Sequence, residues 1–283
     1  MPDLILAEDA RCLKQILEAF ILQMPATSWG KYTEKNNTGW TFHQTVAHVV
    51  AVMEGFTSLI ESALSDGTSK GIPGLEVPGD FARWNTNQIQ RLQTIPIKGL
   101  ENALIDGIER IIYFAETLSD DKLVVSLNLP IYNQNFTIYQ ALVWQLMHTG
   151  LVHGGQITRV QNAETLWMQF PVAMLRRLIV TFMDYQGYIY HPPKDTDSPV
   201  TIHYIICGEE GGRWQLELTA ADASLSEELL SKADIVFRFR NIYAFCRLMT
   251  FEIPPFSAIF RGEMLMTGNI RLALRLPDLL QVL

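Results

Sequence analysis

The chain has 283 residues, 48% of them hydrophobic and 18% charged, which is the composition of a folded protein and length enough for two separate cores. Its 22 basic and 30 acidic side chains leave a formal charge of −8. That balance argues against a nucleic-acid surface, because phosphate binding needs concentrated Lys and Arg and the longest basic cluster is the pair Arg176-Arg177.

At the N-terminus, MPDLILAEDARC sets acids directly behind a very short apolar stretch, and no apolar run is read as reaching the roughly 20 residues of a membrane span. A cytoplasmic protein is expected. Residues 8 to 24 repeat apolar side chains at Leu13, Ile16, Leu17, Phe20 and Ile21, the three-and-four spacing of an amphipathic helix, and Pro25 ends it. A second helix is predicted from about Thr41 to Leu64, before the breaker segment DGTSKGIPGLEVPGD. Helical periodicity resumes at Phe81 and runs to Leu118, with a turn or kink around Pro96. After a loop containing LPIYNQNF, a fourth helix covers about Thr137 to Ala163. Four helices with no strand between them predict a four-helix bundle.

The texture changes past Trp167. One more helix is predicted at 172 to 185, followed by strands VTIHYIIC (200 to 207), RWQLELT (213 to 219) and DIVFRFR (234 to 240), rich in β-branched and aromatic residues. EEGGR reads as the hairpin turn joining the first two. Helices at 241 to 250 and 271 to 282 flank a short strand, MLMTG. The fold class expected is therefore multidomain, α followed by α+β, with a helical domain at 1–165, a mixed-sheet domain at 166–283 and the junction near 163 to 170. Cys12, Cys207 and Cys246 lie far apart without CxxC spacing and are expected to be free thiols.

The stretch HTGLVHGGQI, residues 148 to 157, poses the functional question. On a regular α-helix His148 and His153, five apart, project about 140° from one another. His48 lies among Val46, Ala47, Val49 and Val50, and taken alone it reads as a core histidine with one hydrogen bond. His43 belongs to another face, nearer the surface.

In GWTFHQTVAHVVAVMEG a tryptophan leads, eight residues on, to an Ala-His pair, and a late helix carries His-x-Gly-Gln-Ile. Over residues 5 to 163 this resembles the DinB-like superfamily, which includes thiol-dependent maleylpyruvate isomerases. The resemblance implies a divalent metal, zinc foremost, held by one residue of the second helix and two residues, four apart, of the last. Carried over, His48 matches the first ligand and His153 the third, and the second falls on Thr149, whose neutral hydroxyl is a poor zinc ligand. His148 is one position out of register. A π-bulge at Gly150 would bring His148 round to His153. A regular helix would leave two imidazoles and Thr149 facing the pocket, with weak or absent metal, and the regular helix is the expectation adopted. Gln156 is a candidate for contacts behind the ligands, with Arg159 following. Trp84-Asn85 is placed near the bundle mouth, Trp84 as packing.

The second half, KADIVFRFRNIYAFCRLMTFEIPPFSAIFRGEMLMTGNIRLALRLPDLL, resembles the sterol carrier protein 2 family over residues 168 to 283. It departs at Thr250-Phe251, where that family commonly has a glycine ending the helix. The resemblance implies an apolar tunnel, with Phe251, Ile253, Phe256, Ile259, Phe260, Leu265, Leu272 and Leu276 as candidate lining and Met249, Met264 and Met266 making it adaptable. The same residues can equally fill a core. A helical bundle followed by a carrier-like domain is also the order in the mycothiol-dependent maleylpyruvate isomerases. The two resemblances together imply a metal- and thiol-dependent isomerase or transferase acting on a small electrophilic substrate, with a low-molecular-weight thiol as cofactor. The rival reading is a non-catalytic protein that binds an apolar, lipid- or sterol-like ligand and keeps only a degenerate metal site.

Overall fold

In a computed structural model of the chain, residues 3–33, 39–67, 71–77, 80–130, 132, 135–161, 164–190, 199–219 and 223–279 are described. The chain divides into two compact units, one comprising 1–131 and 135–170, the other 132–134 and 171–283.

The first unit is helical. Helix α1 (Leu4–Leu22) begins where the Asp3 carboxylate accepts the Leu6 N–H at 2.9 Å, satisfying a donor that the first turn leaves open. Helix α2 (Phe42–Asp66) opens on a capping box in which Thr41 and Gln44 bond each other's backbone N–H, and it closes on Gly67 in the left-handed region. The predicted run from 81 to 118 is two helices, α3 (Phe81–Leu92) and α4 (Ile97–Thr117), because Pro96 takes an extended conformation and starts α4 afresh. Helix α4 packs on both α1 and α2, and α3 packs on α2. Leu13 and Leu17 of α1, Val46, Val50 and Met53 of α2, and Leu104 and Ile108 of α4 are buried in the unit's core.

Two features of this unit correct the sequence reading. A short helix α5 (Asp120–Leu123) is followed by a pair of two-residue strands, β1 (Ser126–Leu127) and β2 (Phe136–Thr137), so the helical half is not free of strands. Two residues are too few for any periodicity to register, and the pair is held by burial of Leu127 and Phe136. Secondly, α2 is apolar and long enough, with a mean hydropathy of 1.2, to cross a membrane by length and composition alone. That window is 67% buried inside the protein, as in the core helix of a folded unit.

The last helical passage is wound in three parts. Helix α6 (Ile138–Leu146) starts at a second capping box, Thr137 with Gln140. A π-helical segment spans Met147–His153, and helix α7 (Gly154–Arg159) completes it.

The second unit is α+β. Helix α8 (Val172–Tyr188) contacts β4 (Gly212–Leu218) and β5 (Ala223–Ser226) of a five-stranded sheet ordered β5-β4-β3-β6-β7, where β3 is Val200–Ile206, β6 Ile235–Phe239 and β7 Met264–Gly268. The β3–β6 pair is parallel and the others antiparallel. The β3–β4 hairpin needs glycine: Gly208, just before the predicted EEGGR turn, sits at φ 100°, and a Cβ on Gly211 within it would lie 1.9 Å from the Ile206 carbonyl oxygen. Trp214, Leu216 and Leu218 on β4, with Ile202, Tyr204 and Phe239, make the core. Helices α9 (Ile242–Met249), α10 (Pro255–Phe260) and α11 (Ile270–Leu279) complete the unit. Strand β5 and helix α10 are additions to the predicted elements.

A buried three-histidine cluster

The π-segment decides the site. Bonding from i to i+5 stacks residues five apart, so His148 and His153 come to the same face, and both meet His48 on α2. The His148 Nε2 lies 3.0 Å from the His153 Nε2 and 3.2 Å from the His48 Nε2. Ligand atoms of the three side chains all lie within 4.8 Å of one another. The expectation of a regular helix with Thr149 in the pocket is therefore wrong: the segment is π-helical, His148 rather than Thr149 stands beside His153 and His48, and Thr149 is buried in the helix.

Gly150, inside the segment, lets it lie close against its neighbours. A Cβ there would stand 2.9 Å from the Phe170 ring and 3.1 Å from the Leu13 side chain, closer than side chains pack. Gly150→Ala is expected to cost about 1–3 kcal/mol by overpacking and to loosen the His148–His153 register. Thermal melting gives the first effect and metal affinity the second. An unchanged melting temperature would mean that Phe170 and Leu13 yield freely.

Two carboxamides stand behind the imidazoles. The His48 Nδ1–H donates to Asn85 Oδ1 at 2.6 Å, and the His153 Nδ1–H donates to Gln156 Oε1 at 2.7 Å. Amide oxygens only accept, so both rings carry their single neutral-state proton on Nδ1 and turn Nε2 lone pairs inward. His148 Nε2 faces both and can give a proton to only one of them. Aromatic rings wall the cluster. Trp144 stacks on His148 at 4.7 Å, Trp40 lies 4.8 Å from His48, and Phe81 meets His48 edge-on.

Burial dominates the electrostatics. It pushes the His48 pKa down to about 3, reinforced by His153, and the His153 pKa down to about 4. His148 is held well below its ordinary range by burial and then by the two other imidazoles. All three are neutral at pH 7, the form that binds metal. No carboxylate or thiol joins the cluster among the described residues.

Of the residues singled out from sequence, His48, His148, His153 and Gln156 come together, and Asn85 joins them with a role that no spacing announced. Trp84 is buried packing beside it. His43 lies outside the cluster, against Trp29, and Arg159 is partly exposed on α7. Trp144 is absent from the sequence reading, although its spacing of four from His148 is that of helical neighbours.

The carrier-like residues are arranged otherwise than expected. Ile253, Met264 and Leu276 are buried, Ile259, Leu272, Met249 and Met266 partly so, but Phe251, Phe256 and Leu265 are exposed and Phe260 is 90% exposed. Neither an enclosed tunnel nor a filled core accounts for these four. Phe256 and Phe260 are four apart on α10, a helix that buries only Ala258, so they share its outward side. Phe251 adopts φ 57°, the one left-handed non-glycine among the described residues, a conformation costing about 1–2 kcal/mol.

Fold and site together define a two-unit chain, helical then α+β, whose helical unit buries three convergent imidazoles. No family model and no curated protein sequence matches it. Among solved structures its fold is similar to mycothiol-dependent maleylpyruvate isomerase, with a TM-score of 0.55 at 13% identity over 88% of this chain and 89% of that one. A histidine-to-alanine mutant of that enzyme gives 0.56 over the same shares at the same identity. At that identity the likeness is one of fold. A sec-alkylsulfatase from Pseudomonas sp. scores 0.29 at 13% identity, over 87% of this chain but 33% of its own.

Proposed function

We propose that this chain is a metal- and thiol-dependent isomerase or transferase of the maleylpyruvate isomerase type, with His48, His148 and His153 holding one divalent ion, zinc foremost. The observation that carries the reading is the convergence of three Nε2 atoms with too few protons to bond one another. Tetrahedral zinc with nitrogen ligands at about 2.0–2.1 Å separates them by about 3.3 Å, and two of the pairs stand at 3.2 and 3.0 Å. Three protein ligands leave a position open, as catalytic sites do. The bound ion would supply Lewis acidity that lowers the pKa of a coordinated thiol, giving a thiolate nucleophile at neutral pH. The chain's own contribution is to fix the imidazole tautomers and to keep the site dry with Trp40, Phe81 and Trp144.

On this reading residues 1–165 form a DinB-like four-helix bundle and 166–283 a sterol carrier protein 2-like unit, in a cytoplasmic protein acting on a small electrophile. The exposed Phe256 and Phe260 favour one element of the rival reading, an apolar ligand at the second unit. Maleylpyruvate incubated with the metal-loaded protein and a panel of low-molecular-weight thiols, mycothiol included, should be isomerised only when thiol is present, and not by His48→Ala. Folded, metal-loaded protein without thiol-dependent turnover on it or on related unsaturated acids would favour the binding protein.

A further inference from the structure

We infer that Asn85 is a positioning residue that sets the metal affinity of the cluster by fixing the tautomer of His48, so that α3, which supplies no ligand, belongs to the site. The inference rests on the proposed metal reading for its consequence, though not for the tautomer itself.

Asn85 is nearly inaccessible, 37 residues beyond His48 in sequence, with its amide oxygen 2.6 Å from His48 Nδ1. The helix that presents it is pinned at its start, where the Asp80 carboxylate accepts the Glu76 and Val77 N–H groups at 3.2 and 3.1 Å. Beside Asn85, Trp84 is buried, and it fits because Gly74 has no side chain: a Cβ there would lie 3.1 Å from the indole. An imidazole free of this acceptor can move its proton to Nε2 and donate it to the His148 Nε2, 3.2 Å away. That change would use up the lone pair which faces the cluster's centre. A carboxamide prevents it without bringing a charge into the site. A carboxylate in the same place would prevent it and make the ring a stronger donor.

The test is nitrogen NMR of the histidine rings in metal-free protein, paired with zinc affinity measured by competition against a chromogenic chelator, for wild type, Asn85→Leu and Asn85→Asp. The wild type should show the Nδ1–H form of His48. Asn85→Leu should populate the Nε2–H form and bind zinc 10–100-fold more weakly, while Asn85→Asp should restore the tautomer and match or exceed wild-type affinity. Merely structural support by Asn85 would lower the melting temperature of both variants without changing the tautomer, and that overturns the inference. Should the wild-type cluster take up no zinc, the functional reading fails, and the ring nitrogens alone decide: retention of the Nδ1–H form in Asn85→Leu overturns the role of Asn85.

Discussion

His148→Ala is expected to abolish tight divalent-metal binding, with a loss greater than the roughly 10–100-fold that partners behind the ligands control. His148 is the middle member of the cluster, 3.2 and 3.0 Å from the other two Nε2 atoms, and its removal leaves two imidazoles, too few for a tetrahedral site. The π winding also settles what a histidine at the neighbouring position would do. On a regular helix Thr149→His would complete a spacing of four with His153, whereas in the segment from Met147 to His153 that spacing no longer aligns the two. No gain in affinity is expected from it. Calorimetric zinc titration of both variants checks the pair of outcomes, and a tighter site in Thr149→His would show that the helix is regular in solution.

Acid should destabilise the metal-free protein steeply. The folded-state pKa values of His48 and His153 are pushed down to about 3 and about 4, chiefly by burial, and that of His148 lies well below 6.5. In the unfolded chain these groups take up protons near pH 6.5, while the folded cluster refuses them. Their contribution to stability is therefore complete above about pH 6.5 and is lost as the pH falls from there towards 3 to 4. Between pH 6.5 and 5 His48 and His153 each cost roughly 2 kcal/mol, and His148, lowered by the same burial, adds to the loss in the same direction. Urea unfolding of metal-free protein at pH 7 and pH 5 should show the fall, with a shallower slope in His148→Gln. Equal stability at the two pH values would mean that the cluster is hydrated.

Much of the fold was legible because its signals are local. The three-and-four spacing of Leu13, Ile16, Leu17, Phe20 and Ile21 marks α1, and Trp214, Leu216 and Leu218 alternate on one face of β4. Strand β5, ASLS at the sheet edge, has no bulky residue fully buried, so nothing in its composition separates it from a loop. The sharpest departure lies in the site. His48 and His153 were identifiable, but the π segment has the composition of an ordinary helix, and Gly150 permits the winding without requiring it. Nor can spacing reveal Asn85, which reaches His48 only through the packing of α3 on α2.

Whether His48, His148 and His153 hold one metal ion together is best decided by X-ray absorption at the zinc edge of stoichiometrically loaded protein. Three imidazole nitrogens at about 2.0–2.1 Å with one further light ligand are expected. A shell with two imidazoles, or failure to retain one zinc per chain through gel filtration, would contradict the three-histidine site.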